Sequence, residues 1–168
     1  MRYQGIAYRA HDDQWAWAAT PGEGARRCGG RFNARGTNAL YLSLSPSTAL
    51  LESGPLGHLR PTVVLAIYQV NVERIFDALD PEACEAERVT ELELDCPTWK
   101  EDMLERGLSD SQALANRLID AGFAGMRVRS YVPNATSDHV NLVLWDWGDE
   151  DSGQLVLLDD QLHLPKLD

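Results

Sequence analysis

The clearest hydrophobic pattern in the chain lies at residues 38–45, where apolar and polar side chains alternate. Three leucines share one face and three polar residues share the other: Leu40, Leu42 and Leu44 against Tyr41, Ser43 and Ser45. Because successive side chains of a strand point to opposite faces, the alternation predicts a half-buried β-strand. Tyr41 is expected on the face away from the leucines.

Other runs rich in β-branched and aliphatic residues predict further strands at 3–9, 62–70, 125–132, 139–147 and 155–158. The run at 62–70 is the longest unbroken apolar stretch of these, which predicts a central strand. A segment rich in charge, tryptophan and glycine follows the first strand and indicates a loop that extends to about residue 30.

Two helices have clear boundary signals. Ser45 and Pro46 suit the N-cap and first position of a short helix that continues through Glu52. Ser109 suits the N-cap of a second helix that reaches Ala121 before a glycine stop.

Residues 73–110 are acidic and helix-prone, and we interpret them as a solvated helical insertion. The other elements are strands with interspersed helices but without regular βαβ alternation. This order predicts a single α+β domain over residues 1–168 around a mainly antiparallel or mixed sheet.

Composition favours a soluble cytoplasmic protein with its own core. The 168 residues are 44% hydrophobic, and the three cysteines show no CxxC spacing, so neither disulfides nor a metal site is expected. The N-terminus lacks signal-peptide character, and no apolar run approaches the ~20 residues of a membrane helix.

The charge is unevenly distributed. The net charge of −11 divides into +3 for residues 1–72, −9 for 73–110 and −5 for 111–168. An acidic surface disfavours nucleic acid as a partner. Positive charge concentrates at Arg26, Arg27, Arg31 and Arg35, which indicates a small anionic ligand.

The segment GGRFN at 29–33 concentrates the candidate chemistry. Gly29 and Gly30 allow close backbone approach to a ligand, and Arg31 can pair with phosphate. Tyr41 and Glu52 follow within 21 residues of the arginine, and a carboxylate can stabilise a developing positive charge. The chain has no Walker A or GxGxxG motif, so neither usual nucleotide fold is predicted.

These residues resemble the RES-domain toxins of bacterial RES–Xre toxin–antitoxin modules. The matching stretches are YR at 8–9, GGRFN at 29–33, Gly36, ALYLS at 39–43, AL at 49–50 with Glu52, GFAG at 122–125, SY at 130–131 and NLVLW at 141–145. They extend from residue 8 to about 147, and the acidic middle contributes none of them.

The resemblance implies an ADP-ribosyltransferase-like split sheet whose cleft holds NAD as substrate. It implies cleavage of the nicotinamide–ribose bond and an Xre-family helix-turn-helix antitoxin as partner. The catalytic residues carried over from the family are Arg31, Tyr41, Glu52 and Ser130. The expected NAD-binding residues are Arg9, Gly29, Gly30, Arg31, Phe32, Asn33 and Tyr41.

The chemistry of that bond fits the same residues. Its cleavage builds oxocarbenium character at the ribose, which Glu52 would stabilise, and nicotinamide leaves without a metal. Arg31 would bind the pyrophosphate, Tyr41 would stack on nicotinamide or position the ribose, and Ser130 would donate a hydrogen bond.

The sequence leaves several functions open. NAD breakdown by water or phosphate competes with ADP-ribosylation of a specific protein, because no acceptor motif is recognisable. A non-catalytic nucleotide-binding or interaction module is the alternative of another class. A nuclease toxin is less favoured, because the chain is acidic and lacks a His/Glu or His/Lys cluster.

Overall fold

The structure is a computed structural model that describes residues 1–11, 22–54, 63–149 and 154–158. Residues 12–21 of the predicted loop after the first strand, and residue 62 of the predicted strand 62–70, lie outside these ranges. The strands are β1 (Tyr3–His11), β2 (Leu40–Ser43), β3 (Val64–Val72), β4 (Ile75–Asp77), β5 (Gly125–Arg129), β6 (Val140–Leu144) and β7 (Leu155–Leu157). The helices are α1 (Glu23–Cys28), α2 (Pro46–Ser53), α3 (Pro81–Ala86), α4 (Glu91–Asp95), α5 (Trp99–Arg106) and α6 (Asp110–Asp120).

In the described part of the chain, the strands form one mixed sheet in the order β4-β5-β6-β2-β1-β3-β7. Only β4 and β5 run parallel, and every other neighbouring pair is antiparallel. The α+β class and the mixed sheet predicted from the sequence are confirmed.

The sheet is split between β1 and β2. These strands are paired at a single position, Tyr8 with Ser43, whereas β1 pairs with β3 from Tyr3↔Val72 to His11↔Val64. On the other side, β2 pairs with β6 through all four of its residues. Two half-sheets, β4-β5-β6-β2 and β1-β3-β7, therefore diverge from one contact and open a cleft.

Each face of the sheet carries its own core. The period of two in β6 places Val143 in one cluster and Leu142 and Leu144 in the other. The first cluster packs under α6 and includes Phe32, Phe76, Leu114, Leu118, Met126, Val128 and Trp145. The second includes Ala7, Leu40, Leu42, Tyr68, Val70 and Val72. Full burial of each such aliphatic side chain contributes about 1.5–3 kcal/mol, so both faces hold the half-sheets in place.

The predicted helix boundaries at α2 and α6 are confirmed. Ser45 Oγ accepts a hydrogen bond from the Thr48 backbone N–H at 3.1 Å, and Pro46 occupies the first turn. Ser109 forms a capping box with Gln112, in which each side chain accepts from the other's backbone N–H. The first cap fixes the helix that carries Glu52, and the second fixes Gln112, which bonds the backbone of the GGRFN segment.

Two sequence interpretations are corrected. The predicted loop contains helix α1, whose i,i+4 pair Glu23–Arg27 stabilises a segment that has glycine instead of a strong N-cap residue. Residues 73–110, interpreted from the sequence as a solvated helical insertion, contain three helices and also β4, an edge strand of the sheet. Phe76, Leu94 and Met103 from this segment are buried.

The predicted strand 125–132 ends earlier, at Arg129, so Ser130 stands just beyond the strand. Its backbone N–H still bonds the His139 carbonyl at 2.7 Å, which holds Ser130 beside the cleft. Among the described residues, no helix has the length and apolar character needed to cross a bilayer.

Candidate functional site

Two cavities meet at the split in the sheet and share Tyr41, Glu52 and Asn141 as lining residues. The larger, of about 680 Å³, is also lined by Arg31, the GGRFN backbone, Trp99, Arg129 and Tyr131. The smaller, of about 210 Å³, is lined by Tyr8, Arg9 and Ser43 together with small apolar residues. Glu52 thus stands at the boundary between the two cavities.

Glu52 is held by two hydrogen bonds to a single carboxylate oxygen. It projects from the last turn of α2, and its Oε1 accepts from Ser130 Oγ at 2.6 Å and from Asn141 Nδ2 at 2.5 Å. Within the described residues, Oε2 has no recorded hydrogen-bond partner. The carboxylate is consequently fixed in orientation, and Glu52 lines both cavities.

Each donor to Glu52 is itself held in place. Ser130 is 6% exposed, and its Oγ accepts from the Val132 backbone N–H at 3.3 Å. Asn141 Oδ1 accepts from Ser43 Oγ at 2.8 Å, across the register pair that joins β2 and β6. The orientation of Asn141 follows from this bond, because its amide must then direct Nδ2 toward Glu52.

Arg31 is half-buried and lines the larger cavity. Its NH1 donates to the Cys96 carbonyl at 3.1 Å and to the neighbouring Asp95 carbonyl. Burial is the largest influence on the pKa of Arg31 and lowers it, while the carboxylates of Asp95 and Glu52 act in the opposite direction. A guanidinium remains charged at physiological pH, so the cavity keeps a fixed cation that faces Glu52.

Tyr131 brings two cations together. The guanidinium carbon of Arg31 lies 5.2 Å from the ring centroid of Tyr131, and that of Arg129 lies 4.8 Å from it. Both distances fall within the range of cation–π attraction. Burial is the main cause of a raised pKa for the Tyr131 hydroxyl, which also hydrogen-bonds Arg129.

The GGRFN segment is a tight turn whose shape is set by side chains from elsewhere. Gln112 Nε2 donates to the carbonyls of Gly30 and Asn33 at 2.9 and 3.1 Å, and Trp145 Nε1 donates to the Phe32 carbonyl at 2.8 Å. Asn33 is fully buried, and its amide donates to three carbonyls of the surrounding loop. Phe32 and Asn33 therefore fix the backbone that carries Arg31.

Tyr41 is part of the same turn. Its hydroxyl accepts from the Phe32 backbone N–H at 3.0 Å and donates to Asn33 Oδ1 at 2.8 Å. Burial raises the pKa of this hydroxyl, so it stays protonated and able to donate. The ring lines both cavities, so its carbon face is the part of Tyr41 that a ligand in either cavity meets.

The two glycines are required for reasons internal to the turn. A Cβ on Gly30 would lie 2.5 Å from the Tyr41 hydroxyl and 2.7 Å from Asn33 Oδ1. Gly29 ends α1 with φ 74°, a backbone conformation that favours glycine. Both glycines also line the larger cavity. The same two positions therefore allow the turn to pack closely and leave its backbone accessible from the cleft.

The structure thus brings the four predicted catalytic residues to one cleft, with Arg31, Tyr41 and Glu52 on its walls and Ser130 directly behind Glu52. Arg9 lies apart from Arg31, in the smaller cavity, where it also hydrogen-bonds Tyr68. In the ranges the structure describes, no cluster of three or more His, Cys, Asp or Glu side chains could hold a metal ion.

Several residues of the cleft were not predicted as site residues from the sequence, among them Trp99, Arg129, Tyr131 and Asn141. A polar residue in the otherwise apolar strand β6 was the available signal for Asn141. Trp99 comes from the acidic middle of the chain, which showed no recognisable chemistry. Its position at the cavity wall shows that this segment contributes to the site.

Comparison with known proteins identifies the fold and the family of this chain. Among curated proteins, no sequence matches. A similar solved structure is the crystal structure of the M. tuberculosis MbcT–MbcA toxin–antitoxin complex. It aligns with a TM-score of 0.62 and 24% identity over 95% of this chain and 84% of that one, which establishes a shared fold. The RES domain family model matches residues 6–166, almost the whole sequence. The chain belongs to the RES-domain family.

Proposed function

We propose that this protein cleaves the bond between nicotinamide and ribose in NAD, and that it is the toxin of a toxin–antitoxin pair. The observation that carries the proposal is the Glu52 carboxylate, which Ser130 and Asn141 hold by one oxygen at the junction of two cavities. A carboxylate fixed in this way suits the stabilisation of positive charge on a sugar.

The proposed reaction begins with heterolysis of the glycosidic C–N bond. The bonding electron pair leaves with nicotinamide and neutralises the positive charge of its ring, so the departure requires no proton. The ribose carbon gains oxocarbenium character next to Glu52. A nucleophile then adds to this carbon and loses its proton, which gives a neutral sugar again.

The two cavities differ in lining, and each suits a different part of the NAD molecule. The larger volume falls within the ~300–1,000 Å³ typical of ligand sites, and its arginines suit the ADP part. The smaller cavity, with Tyr8 and the ring of Tyr41, suits a flat aromatic leaving group. Glu52 would then stand beside the ribose that joins the two parts.

Family membership and the shared fold with a chain from a toxin–antitoxin complex support an antitoxin partner. We propose an Xre-family antitoxin that covers the cleft and carries the DNA-binding function. Arg26 and Arg27 are exposed on α1 and offer a basic contact surface near the cavity rim. Retention of antitoxin binding after neutralisation of both arginines would exclude that surface.

The test follows free nicotinamide and ADP-ribose label after incubation of the protein with NAD, with or without phosphate and a cell lysate. Release from NAD alone supports breakdown by water, and a requirement for phosphate supports phosphorolysis. Release that occurs only with lysate, accompanied by one labelled protein, supports mono-ADP-ribosylation. Binding of NAD without any release of nicotinamide would instead indicate a non-catalytic nucleotide-binding module.

A further inference from the structure

Arg129 takes no part in the bond cleavage proposed above, yet it lines the larger cavity. It is the last residue of β5 and directly precedes Ser130, so its position along the sheet is fixed by strand pairing. Its guanidinium lies 4.8 Å from the Tyr131 ring centroid and hydrogen-bonds the side chain of Tyr131. Tyr131 therefore positions Arg129 in the same cavity as Arg31.

The two arginines differ in how readily they can meet a ligand. Arg31 is half-buried, and its Nη1 donates to the backbone carbonyls of Asp95 and Cys96 at the end of α4. Arg129 has a side chain that is 47% exposed and is paired only with Glu91 among the acidic side chains described, itself 61% exposed. An exposed ion pair contributes little net stability, so an incoming anion can replace Glu91 at small cost.

Glu91 is not part of the cap of the helix in which it lies. It is the first residue of α4, whose capping box is formed by Thr90 and Glu93. The carboxylate of Glu91 therefore pairs with Arg129 and is not needed for the capping box. This arrangement is typical of a resident counter-ion that a ligand displaces.

We propose that Arg129 binds the diphosphate group of the dinucleotide in the larger cavity, and that this group replaces Glu91 on the guanidinium. The inference rests on the proposed function, because it names how the same site holds its substrate. Arginine suits this role because its planar guanidinium forms paired, charge-assisted hydrogen bonds with phosphate oxygens. Arg31, whose guanidinium also lies near the Tyr131 ring, then supplies the second positive charge.

The test measures the affinity of the intact protein for ADP-ribose, with adenosine as a probe that lacks phosphate. Replacement of Arg129 by Gln should weaken ADP-ribose binding about tenfold or more and leave adenosine binding unchanged. Glu91→Gln should tighten ADP-ribose binding about two- to fivefold, an effect that disappears in the Arg129→Gln background. Arg117→Gln is the matched control, since Arg117 is equally exposed and paired with Glu93 outside the cavity.

Failure of this inference is distinguishable from failure of the proposed function. Unchanged ADP-ribose affinity in Arg129→Gln, or no ADP-ribose binding by the wild type, would overturn the role of Arg129. Wild-type binding that depends on Arg129, without nicotinamide release from NAD, would support the phosphate contact and refute NAD cleavage. A loss of melting temperature in Arg129→Gln beyond that in Arg117→Gln would identify a structural residue and also count against the proposal.

Discussion

Ser130 and Glu52 are 78 residues apart in the sequence, yet Ser130 Oγ donates a 2.6 Å hydrogen bond to Glu52 Oε1. The contact joins the end of β5 to the last turn of α2. Because Asn141 donates to the same oxygen, the carboxylate is held at a defined angle.

Removal of the Ser130 hydroxyl should reduce catalysis more than folding. A hydrogen bond to a charged group contributes about 1.5–3 kcal/mol, so Ser130→Ala should slow nicotinamide release roughly 10- to 100-fold. The measurement is the initial rate at saturating NAD, with the exposed Ser137→Ala as control. A rate within twofold of wild type would show that the bond has no catalytic role.

Substitutions of Asn141 test whether its amide specifically supports Glu52. Asn141→Ala removes one donor, whereas Asn141→Asp introduces a second carboxylate beside Glu52 and also repels it. We therefore expect both variants to lose activity. Asn141→Asp should lose more activity than Asn141→Ala, although Asp has nearly the shape of Asn. Circular dichroism of the two variants separates this effect from misfolding. Equal activity of Asn141→Asp and wild type would contradict the assignment.

Gly30 should be essential to the stability of the turn. A methyl group at this position would overlap the Tyr41 hydroxyl and Asn33 Oδ1, and such overpacking typically costs about 1–3 kcal/mol. Gly30→Ala is therefore expected to unfold at lower denaturant concentration. Gly24→Ala is the matched control: Gly24 lies in α1 with open space around it, so alanine should stabilise this helix slightly. Equal stability of the two variants would disprove the packing explanation.

The hydroxyl of Tyr41 should stabilise the fold, whereas its aromatic ring should contribute to ligand binding. Tyr41→Phe leaves the Phe32 N–H and Asn33 Oδ1 without their shared partner, which should destabilise the protein by about 1–3 kcal/mol. Tyr41→Leu should in addition weaken NAD binding, because it also removes the aromatic face. Denaturant titrations and NAD affinities of both variants separate the two effects. Wild-type stability in Tyr41→Phe would argue that the hydroxyl serves the ligand instead.

Local patterns in the sequence were sufficient for the elements that carry the site. Alternation identified β2, and Ser45 with Pro46 identified the start of α2, because both signals depend only on neighbouring residues. The family resemblance supplied Arg31, Glu52 and Ser130 as residues of one cleft, which the structure brings together.

The contacts that orient those residues could not be predicted, because they depend on pairing between distant segments. Asn141 reaches Glu52 only because β6 lies beside β2 in the register that places it opposite Ser43. Arg31 bonds backbone carbonyls at the end of α4, and a carbonyl has no signature in the sequence. The glycines of GGRFN were assigned to ligand approach, and the contact of Gly30 with Tyr41 became visible only in the folded turn.

The most direct test of the central claim is the rate of nicotinamide release from NAD by the wild type and by Glu52→Gln, with the exposed Glu85→Gln on α3 as control. Glutamine keeps the shape of the side chain and removes the negative charge that would stabilise the ribosyl cation. We expect release by the wild type and by Glu85→Gln, and a loss of about 10²–10³-fold or more in Glu52→Gln at unchanged stability. Release by Glu52→Gln at the wild-type rate, or no release by the wild type, would contradict the assignment of this cleft as an NAD-cleaving site.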